Sequence, residues 1–188
     1  MRRYSEFLIL ILYGVSFDTP YTFRSDILIF IYLAISALVV IIDQVIKYFV
    51  SVNLKPIGST VAIPHLLDLV YVENRGVAFG MFKDMRWIFV ALTSIVIVVF
   101  LVFLIKNGNK SKLFSVASAL IIGGGIGNLI DRIFLGYVID YLQLSFFSPV
   151  CNFADYCISI GTVLLIIYLL FFSDIKDEKK FDNKSEEN

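Results

Sequence analysis

Asp140 stands alone in its neighbourhood. The 22 residues from Ile133 to Ala154 hold no other charged side chain, so nothing nearby in sequence neutralises its carboxylate. Further on, "NFAD" (152–155) places a second acid, Asp155, three positions after Asn152 at the mouth of the last long apolar run. Taken alone that stretch reads as a helix start, with Asn152 as N-cap and the acid at N3. Taken with Asp140 it has a second use. Two carboxylates held about 3 Å apart cannot both ionise, so they share a proton; one then takes a proton from water while the other, protonated, polarises the carbonyl under attack. Such a pair hydrolyses an amide without a nucleophilic Ser or Cys and without a metal. Orphan N–H groups and the dipole at a helix start favour the anion at Asp155, which leaves Asp140, in an apolar loop, as the proton holder.

Three more polar clusters can contribute to a site. In "DQVIK" (43–47) the i, i+4 spacing puts Asp43 and Lys47 on one helix face, acid first, which reads equally as a structural ion pair or a ligand contact. "ENRGVAFG" (73–80) has glycines suited to a tight turn that brings backbone close to a ligand. In "GGGIGNLIDR" (123–132) Asn128 and Arg132 share a face, and the glycines read first as positions where a neighbouring helix packs closely. Lys47 and Arg132 are equally legible as interfacial anchors whose stems snorkel. His65, beside Pro64 in an apolar loop, reads as a surface or packing residue rather than a base. One His and two Cys make no zinc cluster, which needs about three or four ligands. No metal or cofactor is expected, and Cys151 and Cys157 read as separate thiols.

What must position these groups is a membrane bundle. Of 188 residues 59% are hydrophobic and 17% charged, too apolar for a soluble domain. Lys plus Arg balance Asp plus Glu at 16 each, so no net field calls for nucleic acid. Ile27–Val50, Trp87–Ile105, Leu113–Ile130 and Tyr156–Ser173 each approach the roughly 20 residues that cross about 30 Å of hydrocarbon. They must be helical, because lipid offers the backbone no partners. An ionisable side chain in or at the end of such a span costs several kcal/mol unless paired or hydrated, which makes each one a functional candidate. The short basic loop "KNGNKSK" (106–112) and the tail 174–188, ten charged residues in fifteen, read as cytoplasmic and the tail as disordered. Ten of the 16 Lys and Arg lie in these two segments and the N-terminal one, so both termini face the cytoplasm. Loops 51–86 and 133–154, and with them every polar cluster, then gather at the opposite face. Tyr4, Phe7, Trp87 and Phe146 suit an interfacial aromatic belt.

The expected fold is an all-α integral membrane protein: four transmembrane helices with a small extracytoplasmic loop subdomain that has room for β-structure. Residues 27–173 form the four-span domain and 174–188 the charged tail. Residues 1–26 read as an N-terminal extension lying at the interface rather than as a cleaved secretory signal. Their apolar core is followed by Asp18, Thr19 and Pro20 without a small-x-small cleavage site. An extension from a misplaced start codon is the other reading.

In order along the chain, D-Q-x-x-K at 43–47, N-x-G-x-A-F at 74–79, G-N-x-x-D-R at 127–132, V-x-D at 138–140 and N-x-A-D at 152–155 make a specific set. Through these five blocks the chain resembles the bacterial lipoprotein signal peptidases, also called signal peptidase II, from about residue 27 to residue 172. The resemblance implies a four-helix aspartic peptidase of the cytoplasmic (inner) membrane, with its site at the extracytoplasmic face and acting as a monomer. Its substrate is a prolipoprotein whose lipobox Cys already carries diacylglycerol, cut just before that Cys. The catalytic pair falls on Asp140 and Asp155. Substrate-contacting or site-shaping positions fall on Asp43, Lys47, Asn74, Gly76, Asn128, Asp131, Arg132, Asn152 and Ala154, and loop 51–86 would cradle the substrate. Membrane lipid is the other implied partner. The chain departs from the family's pattern at Cys151, where a larger apolar or aromatic residue is usual, and the first 26 residues and the tail lie outside the resemblance.

Two other classes compete. A proton-coupled transporter subunit would spread acids through the depth of the bilayer, whereas here they gather at one face. A non-catalytic membrane assembly factor would leave Asp140 and Asp155 dispensable.

Overall fold

A computed structural model describes residues 20–76, 85–107 and 111–172. Four helices carry the apolar runs: α1 (Pro20–Asn53), α2 (Arg86–Asn107), α3 (Lys112–Phe134) and α4 (Phe153–Phe171). Each is long and apolar enough to cross a membrane. Two strands follow α1, β1 (Ser59–Ile63) and β2 (Leu67–Asn74), and two more precede α4, β3 (Val138–Leu144) and β4 (Val150–Cys151). The expected architecture of four spans with a small β-containing loop unit is the one observed. The N-terminal segment 1–19 and the tail from 173 onward lie outside the described residues.

The helices overrun the hydropathic limits where polar residues are paired. α1 continues three residues past Val50, and α3 runs on to Phe134, so that Asp131 and Arg132 are helical. α4 begins at Phe153, three residues before the apolar run proper, because a complete capping box forms there. The Asn152 side chain accepts from Asp155 N–H, and the Asp155 side chain accepts from Asn152 N–H.

α3 is the centre of the bundle: α1, α2 and α4 all pack on it. Two of its glycines are needed for that closeness. A Cβ at Gly124 would lie 2.5 Å from the Ala154 carbonyl oxygen of α4, and one at Gly127 would lie 2.6 Å from Oδ2 of Asp43 on α1. Ser36 of α1 reinforces the α1–α3 contact by donating to the Ala119 carbonyl over 2.9 Å. Tyr32, Leu104, Ala119 and Ile122 join α1, α2 and α3 in an apolar core.

The four strands form an antiparallel sheet in the order β1-β2-β3-β4. Register sets its use: Val72 pairs with Asp140 and Asn74 with Val138, so Asn74 and Asp140 lie diagonally on one face. Alternation turns Ile139 and Tyr141 to the other face, where they pack with Leu54 just beyond α1. His65 lies exposed in the β1–β2 turn at φ 61.

Candidate active site

The start of α4 is the junction of the molecule. A helix N-terminus leaves its first N–H groups without intrahelical partners, and here β3, α1 and the helix's own cap supply acceptors. Phe153 N–H donates to the Tyr141 hydroxyl of β3 over 3.3 Å, Ala154 N–H to Asp43 Oδ1 of α1 over 3.1 Å, and Asp155 N–H to the Asn152 side chain over 2.9 Å. The helix start is thereby tied to the first span and the sheet at once.

Both lone acids are fixed by amides around that junction. Asp140 accepts from Asn152 Nδ2 over 2.6 Å and from Asn74 Nδ2 over 2.8 Å. Asn74 is itself held by Gly76, whose N–H donates to its Oδ1 over 3.0 Å. Asp155 accepts from Asn128 Nδ2 over 2.8 Å and from Asn152 N–H over 3.2 Å. Asn152 also donates to Asn128 Oδ1 over 3.1 Å, which closes a circuit linking both carboxylates through two amides. Asp140 is 2% exposed, whereas Asp155 is only partly buried. Burial, and then the charge of Asp155, pushes the Asp140 carboxyl up to about 6 despite the bonds from Asn74 and Asn152, which act in the opposite sense.

Beneath the amides lies a charged layer with almost no access to solvent. Lys47 Nζ is 2.8 Å from Asp43 and 3.0 Å from Asp131, and donates to Asn128 Oδ1 over 2.9 Å. Gln44 Nε2 bridges the same acids, donating to Asp131 Oδ1 over 3.0 Å and Asp43 Oδ2 over 3.2 Å, and to the Gly127 carbonyl over 3.1 Å. Asp131 Oδ2 in turn accepts from Ile139 N–H over 3.1 Å, the backbone neighbour of Asp140. The layer therefore grips both sides of the acid pair: Lys47 through Asn128, Asp43 through the start of α4, and Asp131 through β3. Arg132 sits beside it, partly buried, with its guanidinium 5.6 Å from the centre of the Phe89 ring and the charges of Asp155 and Asp140 close by.

The eleven residues the sequence offered for the site lie in or against this constellation, whereas His65 does not, and residues 77–84 of loop 51–86 lie outside the described residues. Asp43, Lys47 and Asp131 are buried and fully engaged with protein groups. Asn74, Gly76, Asn128, Asn152 and Ala154 hold the two acids or the helix start. Tyr141 and Gln44 belong to the constellation too and were not singled out. For Tyr141 the strand alternation of V-I-D-Y, which sends it away from Asp140 toward α1, was the available signal.

The family model described as Signal peptidase (SPase) II matches residues 35–171. A lipoprotein signal peptidase of Caldanaerobacter subterraneus subsp. tengcongensis is 42% identical over 144 residues, covering 77% of this chain and 99% of that one. One from Clostridium acetobutylicum is 36% identical over 144 residues, covering 74% and 94%. Two solved structures of a bacterial membrane enzyme superpose with TM-scores of 0.69 and 0.68 at 35% identity, covering 74% and 76% of this chain and 87% and 94% of theirs. The fold, the ordered blocks and these likenesses agree, and the chain belongs to the signal peptidase II family.

Proposed function

We propose that the chain is an aspartic endopeptidase that removes the signal peptide from prolipoproteins whose lipobox Cys carries diacylglycerol, cutting the bond just before that Cys. The observation that carries this is the amide circuit of Asn128 and Asn152, which holds the carboxylates of β3 and the start of α4 in one electrostatically coupled pair. Asp155, at the helix start and the more accessible of the two, takes a proton from the attacking water. Asp140, buried and raised to about 6, carries the proton and donates it toward the scissile carbonyl oxygen. Attack yields a tetrahedral diol. The proton taken up by Asp155 then passes to the leaving amine of the lipidated Cys as the C–N bond breaks, and the proton from Asp140 returns to it as the new carboxyl forms.

Asn74, Asn128 and Asn152 orient the acids, and Gly76 and Ala154 act on them through Asn74 and the start of α4. Asp43, Lys47 and Asp131 keep that frame in register from below. Arg132, beside the pair on α3, is placed to bind the extended substrate backbone or a lipid ester carbonyl. Loop 51–86, whose strand β2 pairs with β3 at Asp140, cradles the substrate. A scissile bond next to a lipid-anchored residue stays at the membrane surface, and the polar ends of α1 and α3 and the start of α4 all meet the sheet there. The charge bias of the loops supports the reading that this face lies outside the cytoplasmic membrane with both termini inside. All the groups named come from one chain, so a monomer suffices.

The test is cleavage of a diacylglyceryl-modified prolipoprotein by purified Asp140→Asn and Asp155→Asn variants. Loss of at least a thousandfold is expected from each, because neither half of the pair acts alone. Near-normal cleavage by either would overturn the dyad and favour a non-catalytic role.

A further inference from the structure

Where β1 and β2 fold back over the end of α1 they leave a cavity of about 350 Å³. Phe49 and Val50 of α1 and Leu54 just after it form one wall, and Ile57, Thr60 and Leu69 from the turn and hairpin form the other. The volume is within the usual range of ligand cavities, about 300–1,000 Å³, and the lining is almost wholly apolar.

What can reach it follows from the surface around it. Val45, Phe49 and Val52 lie in one stripe along α1, each about half exposed or more, and Ile57 at the cavity's other lip is 64% exposed. Because α1 is a span, this stripe faces hydrocarbon, and the cavity is a continuation of that lipid-facing surface at the span's end. Its rim is charged. Lys55 Nζ lies 3.0 Å from Glu73 and 5.2 Å from the centre of the Tyr71 ring, while Arg75 reaches the other oxygen of Glu73 at 3.6 Å. Two exposed cations share one carboxylate, so this cluster keeps a net positive charge, the strand's other acid being Asp68 at its far end. Leu69 in the cavity and Glu73 at the ion cluster are four strand residues apart, about 13 Å, enough for a few methylenes and a glycerol ester.

We propose that this cavity is a binding site for an anionic glycerophospholipid, one acyl chain lying against Phe49, Leu54 and Leu69 and the phosphate at Lys55 and Arg75. The lipid braces the sheet from the side opposite the amide circuit, through the cluster of Leu54, Ile139 and Tyr141. The proposal does not depend on the peptidase reading, and its test uses no turnover.

The full chain, with its single tryptophan removed as Trp87→Phe and a new one placed as Phe49→Trp, is put into nanodiscs of phosphatidylcholine. A minor fraction of brominated phosphatidylglycerol or brominated phosphatidylcholine is then added. Quenching at position 49 is expected to be at least twofold stronger with the anionic lipid. That preference should be absent for a reference tryptophan on the lipid face of α2, Val98→Trp, and lost in Lys55→Gln/Arg75→Gln. Equal quenching by both headgroups at position 49, or equal behaviour at 49 and 98, would mean bulk lipid only and overturn the proposal. Quenching by a peptide bearing brominated diacylglyceryl-Cys but not by phosphatidylglycerol would assign the cavity to the substrate's own lipid and overturn it as well. Native mass spectrometry of the unaltered chain gives an independent reading: retained phosphatidylglycerol in preference to phosphatidylcholine, abolished by the double Gln variant. Retention of neither lipid also counts against the proposal.

Discussion

Asn152 serves two masters, and replacing it with Ser separates them. Its side-chain oxygen caps α4 through Asp155 N–H, while its amide nitrogen donates to Asp140 over 2.6 Å and to Asn128 over 3.1 Å. Ser caps a helix about as well as Asn, whereas Ala forfeits about 1 kcal/mol there. The Ser hydroxyl, on a shorter arm and engaged at the cap, does not reach Asp140, and Ala has no donor. A hydrogen bond to a buried charge is worth about 1.5–3 kcal/mol, so Asn152→Ser should destabilise the fold by about 2 kcal/mol and Asn152→Ala by about 3. The functional signature lies in pH. The bond from Asn152 favours the ionised form of Asp140, so removing it lets Asp140 keep its proton to higher pH. At about 1.4 kcal/mol per decade, the alkaline limb of kcat/KM, which reports the free enzyme, should move upward by about one pH unit in both variants. Cleavage of a fluorogenic lipopeptide across pH 5–9, paired with thermal unfolding in micelles, reads both quantities. An alkaline limb that stays in place or moves downward would refute the reasoning, even if activity fell.

Two further outcomes follow from the buried frame. Lys47→Met leaves Asp43 and Asp131 buried, at 0% and 2% exposure, without their shared cation, and should cost about 3–5 kcal/mol in thermal unfolding; adding Asp43→Asn should recover part of that loss, and an unchanged midpoint for Lys47→Met alone would dismiss the frame. Gly124→Ala presses a methyl against the backbone of Ala154, next to Asp155, and should lower cleavage at least tenfold at a cost of about 1–3 kcal/mol. Gly125→Ala meets side-chain atoms rather than backbone, Ile97 Cγ1 at 3.2 Å and the Thr93 methyl at 3.8 Å, and should be milder; equal effects of the two would show that α4 is not held by this contact.

Much of the bundle was legible in the chain. A run of apolar residues long enough for hydrocarbon must be helical, since no other open structure satisfies its own backbone in lipid, and four such runs are visible to the eye. So were Asp140 and Asp155, because a carboxylate with no cation near it in sequence has to find its compensation elsewhere. The cap at Asn152 was equally plain, being a matter of three residues' spacing. What spacing alone left open was the use of each polar residue. Asp43 and Lys47 read equally as an ion pair or a ligand contact, and in the fold Asp43 also receives Ala154 N–H, 111 positions away. Lys47 likewise meets Asn128 across 81 positions. Gln44 and Tyr141 gave no sign of their partners, because those partners lie on α3 and α4.

Local spacing is governed by helix and strand periods, and these are written in the sequence. The pairing of distant polar groups is decided when the spans close on α3 and the sheet folds over their ends. There every buried donor and acceptor must find a partner or pay a penalty of about 1–3 kcal/mol. The acids could be read off the chain; the amides that hold them together exist as a unit only in the folded protein.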